Sequence, residues 1–195
     1  FSGNTANGVA NDIYNEHTLK ILGGTTTTEG GIISKGEKSS VELSEATLAL
    51  TGGKTSLDTL TGTNGTIKFV KPEAELAVAS NSSTGLGVAA SGEVNDAVNG
   101  DASKLLQNVA LNGDTALFME AGDIVGEVSA TLKTDEQGNL IVANKKEATN
   151  MDNKAIGEAG VALKAQLRAQ MNDMNKRLGD LRNANGEQGV WTRMV

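Results

Sequence analysis

Hydrophobic positions between Thr18 and Ala79 fall in short runs, each cut off by glycine or asparagine. Leu19-Lys20-Ile21-Leu22 ends at Gly23-Gly24, and Ile32-Ile33-Ser34 ends at Gly36. Val41-Glu42-Leu43 and Thr47-Leu48-Ala49-Leu50 lead to Gly52-Gly53; Thr66-Ile67-Lys68-Phe69-Val70 follows Asn64-Gly65, and Glu75-Leu76-Ala77-Val78 comes next. Runs this short, with a turn signal about every eight to twelve residues, predict an all-β region. A sandwich, a barrel and a parallel solenoid all satisfy that pattern. Three details favour the solenoid: Thr, Asn and Ser recur between the apolar positions, no long apolar run marks a strand buried on both faces, and the apolar residues are mid-sized, as a narrow coil interior requires. The repeat is irregular, and no strict period can be written for it.

The pattern changes at Ser91-Gly92. Glu93 to Val98 and Asp101 to Gln107 predict two short helical turns separated by Asn99-Gly100, with Asp101 as an N-cap. Strands resume through Ala116-Leu117-Phe118-Met119, Ile124 to Leu132 and Leu140-Ile141-Val142, with a hairpin-like turn at Asp135-Glu136-Gln137-Gly138-Asn139. From Met151 to Arg182 there is no proline and helix formers dominate. Leu167, Met171, Met174, Leu178 and Leu181 line one face of that helix. Asp173 with Arg177, and Lys176 with Asp180, sit one helical turn apart and can pair on the outside.

Composition sharpens this picture. The 195 residues include 24 glycines, one proline and only 3% aromatic residues, too few large side chains for a single thick core. There is no cysteine, which removes disulfides and thiolate chemistry. The formal net charge of -7 lacks the clustered cations of a nucleic-acid binder. No stretch approaches the roughly 18 consecutive apolar residues of a membrane-spanning helix. Phe1-Ser2-Gly3-Asn4 has neither the charged nor the apolar region of a secretory signal, so the start reads as internal to a longer precursor.

Signals for catalysis are weak. His17 is the single histidine, so clustered histidine ligands are impossible, and a Ser-His-Asp triad would rest on a segment with no supporting motif. Gly53-Lys54-Thr55 resembles the tail of a phosphate loop, but Leu48 stands where the cradle needs glycine. Gly85 to Ala90 falls short of a dinucleotide fingerprint, and both segments read as turns. Glu42 and Glu45 are close in sequence, but their odd spacing puts them on opposite faces of a strand, and sugar platforms are limited to Tyr14, Phe69 and Phe118. The expectation is a non-enzyme with no cofactor and no metal.

The C-terminal stretch carries the most specific pattern. Asn175-Lys176-Arg177-Leu178-Gly179-Asp180-Leu181-Arg182 lies in the charged helix, and Gly189-Val190-Trp191-Thr192-Arg193 follows it as the start of an amphipathic strand. This order resembles the junction of a monomeric type V autotransporter, in which a helix links the secreted passenger to an outer-membrane β-barrel. The resemblance is sharp over Asn175 to Arg193 and elsewhere lies in layout. It implies a right-handed parallel β-helix with a β-rich cap and a long C-terminal α-helix. The implied divisions are passenger rungs over 1–90, a folding-assisting cap over 91–148, a linker helix over 149–185 and the first barrel strand over 186–195. In a subgroup of that family an Asn-Asn pair cleaves itself; the matching positions here are Asn172 and Asp173, so only the first asparagine is present.

Function, on this resemblance, is carriage, assisted folding and display of a passenger at the bacterial cell surface or outer membrane, as an adhesin and virulence factor that is retained or released. The implied partners are the chain's own downstream barrel, the barrel-assembly machinery and a host-surface or glycan ligand, with no nucleic acid. A helix of about thirty residues, rising about 1.5 Å per residue, is long enough to thread a pore. The alternative is a free-standing secreted β-solenoid that binds or processes polysaccharide, its helix capping an open end.

Overall fold

The computed structural model describes residues 2–6, 9–36, 38–138, 140–148 and 151–183. Two compact units divide at Met151. The first begins with a small hairpin, β1 (Thr5–Ala6) against β2 (Val9–Ala10). There follow β3 (Ile13–Asn15), β4 (Thr18–Thr28), β5 (Ile32–Ser34), β6 (Ser40–Leu50), β7 (Lys54–Thr61), β8 (Thr66–Phe69), β9 (Glu75–Asn81) and β10 (Gly87–Ala90). Every pairing among β3 to β10 is parallel, so this stretch is a β-solenoid, the arrangement favoured by the recurrent Thr, Asn and Ser and the mid-sized apolar residues, and neither a sandwich nor a barrel.

The coil makes about four turns. Each turn passes through three faces. The first face stacks β3, β5, the start of β7 and β9. On the second face the leading halves of β4 and β6 lie against the end of β7. The third stacks the trailing halves of β4 and β6 with β8 and β10. Inward positions form columns along the stack. Thr28, Leu50, Phe69, Ala90 and Met119 are one such column, and every member is buried. Thr26, Leu48, Ile67, Val88 and Leu117 are its neighbour. Successive members of the first column are 22, 19, 21 and 29 residues apart, which is why no fixed period is visible in the sequence.

Turn length varies at the corners while the strands keep their register. Between the second and third faces, Glu45 and Asn64 adopt left-handed backbone conformations (φ 48° and 51°), and Asn64 donates its side-chain amide to the Glu45 carboxylate at 2.7 Å. This corner also corrects the expectation for Glu42 and Glu45. They lie in one 11-residue strand, but the left-handed residue breaks the alternation, so opposite-face counting does not carry across it. Glu42 pairs outward with Lys20 at 2.9 Å.

The corner between the third and first faces grows along the coil. In the last turn it holds α1 (Gly92–Ala97), α2 (Ala102–Leu105) and a 3-10 turn over Leu106–Asn108, close to the predicted helical turns. Asp101 caps α2 as expected, accepting the Ser103 N–H at 3.0 Å. The chain then returns through β11 (Val109–Ala110), parallel to β9, and β12 (Thr115–Met119), parallel to β10.

Direction reverses next. β13 (Val128–Thr134) runs antiparallel to β12, and β14 (Leu140–Glu147) antiparallel to β13. Val128, Ala130 and Leu132 continue the buried layer, so this meander closes the coil's last turn with apolar side chains. The Asp135 turn joins β13 to β14 where the hairpin was predicted, with the Gly138 N–H donated to the Asp135 carbonyl. Strand β13 starts at Val128, four residues later than the Ile124 expected, because residues 120–127 form a loop.

The second unit, from Asp152, takes in all but the first residue of α3 (Met151–Asn183), a 33-residue helix where a long helix was predicted. Leu163, Leu167, Met171 and Met174 are all more than half exposed. No described helix is long and apolar enough to cross a membrane.

Candidate functional site

A dense polar construction joins α1 to its two neighbours in the first unit. On one side α1 is tied to the preceding corner. Ser91 is its N-cap, accepting the Val94 N–H at 3.3 Å while its hydroxyl donates to the Val70 carbonyl at 2.8 Å. Glu93 pairs with Lys71 at 2.7 Å, and that hydrogen bond holds the lysine above its ordinary range. On the other side two consecutive residues grip the 120–126 loop. Asn95, fully buried, donates Nδ2 to the Glu120 and Gly126 carbonyls, both at 2.8 Å. The Asp96 carboxylate accepts N–H groups from Asp123, Ile124 and Val125 at 2.6, 3.1 and 2.8 Å. The Lys68–Glu120 ion pair, at 2.6 Å, ties the same loop to β8.

A similar device sits in the first turn. Asp12 accepts the Glu29 and Gly30 N–H groups at 2.7 and 2.9 Å and so fixes the corner between β4 and β5. Asp58 does the same for Gly36 at 2.8 Å, and also accepts the Ser39 hydroxyl at 3.2 Å. Aspartates from one turn thus satisfy loop amides of another, which a solenoid of varying corner length must do to avoid stranded donors.

These carboxylates give the unit a defined acid response. Partial burial pushes Asp96 and Asp12 up, but the amides of residues 123–125 and of Gly30 and Glu29 outweigh it, and both stay below the usual aspartate range. A depressed folded-state pKa contributes stability above the unfolded value of about 3.9 and loses it as pH falls through the folded value. Urea midpoints are therefore expected to hold level for these two groups from neutrality to about pH 5, then to fall below about pH 4. Asp96→Asn should flatten that acid limb; an unchanged limb in the variant would remove Asp96 from the account.

The residues singled out from sequence are placed as follows. His17 is an exposed turn residue whose carbonyl accepts the Ser40 N–H. Gly53 is a corner, but Lys54 and Thr55 begin strand β7 and are not a turn, and the Thr55 hydroxyl is buried, accepting the Ile32 N–H at 3.3 Å. Gly85 is a corner too, but Gly87–Ala90 is a strand, not a turn. Asn172, Asn175 and Lys176 are exposed on α3, and Asp173 is partly covered. Arg177, Leu178, Gly179, Asp180, Leu181 and Arg182 belong to the same helix. Gly189, Trp191 and Arg193 lie outside the described residues. Among the described residues no cluster of three His, Asp or Glu could hold a metal ion.

Sequence reasoning missed Asn95 and Asp96. Their partners lie 25 to 31 residues ahead, and no local spacing signals them. Compared with known proteins, the chain matches no family model, no curated protein and no solved structure.

Proposed function

We propose that this chain is the barrel-proximal passenger region of a monomeric type V autotransporter, with a coil of right-handed sense. It carries, helps fold and displays a surface or secreted passenger that acts as an adhesin. The observation that carries the reading is the order of parts: a parallel coil, an antiparallel meander closing its last turn, then a 33-residue helix bearing Asn175 to Arg182. Each part suits the task. Stacked turns fold one upon the next, so a stable terminal turn can template those before it without an external energy source. A helix satisfies its own backbone hydrogen bonds and needs no sheet partner inside a pore. Its partners on this reading are its own downstream barrel, the barrel-assembly machinery, and a host-surface or glycan ligand.

The test begins with the native gene past the codon for Val195. Successive amphipathic segments of about ten residues, separated by turns, are expected; a nearby stop codon would overturn the reading. In the native protein, deletion of Val109 to Val142 should abolish most surface display, measured by antibody labelling of whole cells. Undiminished display would remove the folding role. Asn172 is the position at which self-release would break the chain, and intact mass spectrometry of outer-membrane protein would show a break after it or rule it out.

A further inference from the structure

We propose that the turn over residues 122–125 is an oxyanion-binding nest, that Asp96 is its built-in ligand, and that filling the nest fastens the antiparallel β12–β14 layer to the coil. Three consecutive backbone N–H groups, from Asp123, Ile124 and Val125, converge on one carboxylate; Ile124 reaches both of its oxygens, at 3.1 and 3.2 Å. Successive amides aimed at one point form the concavity in which proteins hold phosphate or carboxylate groups. Here the anion arrives on a helix inserted 27 to 29 residues earlier.

The surroundings are shaped for that anion. A Cβ at Gly122 would fall on the Asp96 carboxyl group, so any side chain at that position would occupy the anion's place. Gly122 donates its N–H to the Val125 carbonyl at 2.9 Å, while Val125 turns its own N–H to Asp96. Asn95 brackets the stalks of the loop by bonding Glu120 and Gly126. Ile124 is 68% exposed at the tip of this loop. Of the nearby acids, Glu93 is matched by Lys71 and Glu120 by Lys68. The nest therefore takes a small oxyanion of the carboxylate class, and in the intact chain Asp96 supplies it.

The experiment removes the built-in ligand and offers a free one. In Asp96→Ala, hydrogen exchange at the amides of residues 123–125 should quicken about 10- to 100-fold at neutral pH, the range expected for losing charge-assisted hydrogen bonds. Sodium formate, compared with sodium chloride at equal ionic strength, should then slow that exchange by at least about threefold, as a ligand does at about twice its dissociation constant. Wild type should show no such response. Nor should Asp96→Asn, whose side chain still fills the seat. Exchange in Asp96→Ala equal to wild type would overturn the proposal, as would formate acting equally on all three proteins. Should Asp96→Ala not fold, Asp96→Asn decides: faster exchange at 123–125 supports a charged ligand, and wild-type exchange rejects it.

Discussion

Replacing Phe69 with alanine is expected to cost about 3–5 kcal/mol of unfolding free energy, the largest loss for any single truncation in the coil. Phe69 is 1% exposed and is the largest fully buried side chain. It sits between Leu50 and Ala90 in an inward column. No neighbour in adjacent turns can collapse into the gap without breaking the register of β6, β8 and β10, so a cavity persists. The natural control is Phe118, which points outward from β12 beside Ala89 and is 44% exposed. Phe118→Ala should cost less than about 1 kcal/mol. Urea unfolding of the two variants tests the inward and outward assignment directly. Equal losses would mean that Phe69 and Phe118 do not face opposite ways on the third face, and that its register differs from the one that stacks Phe69 on Leu50.

Gly62→Ala is expected to be comparably severe, about 3 kcal/mol or more, for a different reason. Gly62 has φ 114°, a conformation that residues with a side chain rarely adopt, and a methyl group there would overlap the Leu43 carbonyl of the turn before it. Backbone meets backbone at this corner, so no side chain can rotate away to relieve the contact. Gly23 separates the two contributions. It also has positive φ, 73°, but nothing lies within 4 Å of an added methyl. Gly23→Ala should therefore cost only the conformational penalty, about 1–2 kcal/mol. Thermal unfolding would resolve the pair, and similar melting temperatures would show that the close approach at Gly62 is relieved at little cost.

Strands β4, β5, β6, β8 and β9 were legible because glycine and asparagine punctuate the chain where corners fall, whereas β3 and β7 fall outside the predicted runs and the β10 segment reads as a turn. The helices were legible for related reasons: an uninterrupted run of helix formers ends in α3, and Asp101 is a local cap. Thr55 shows where local reading stops. A threonine after Gly53-Lys54 looks like a surface turn, yet its hydroxyl is buried and holds the Ile32 amide of the preceding turn. Glu45 shows it again, since a left-handed conformation at a non-glycine residue carries no sequence flag and changes which way the strand faces.

The sequence by itself determined the inventory of this protein: short β segments, an inserted pair of helical turns, a hairpin at Asp135 and a long terminal helix. Each of these follows from interactions within a few residues, from propensity, capping and turn chemistry. Only the tertiary structure decided the steps of 22, 19, 21 and 29 residues at which the parallel strands stack, and that the stack ends in an antiparallel meander. It also decided that Asn95 and Asp96 hold a loop far ahead of them in the chain. Parallel pairing and loop satisfaction depend on which backbone groups meet across a turn of the coil, and because corner lengths vary, no periodicity in the residues records those meetings.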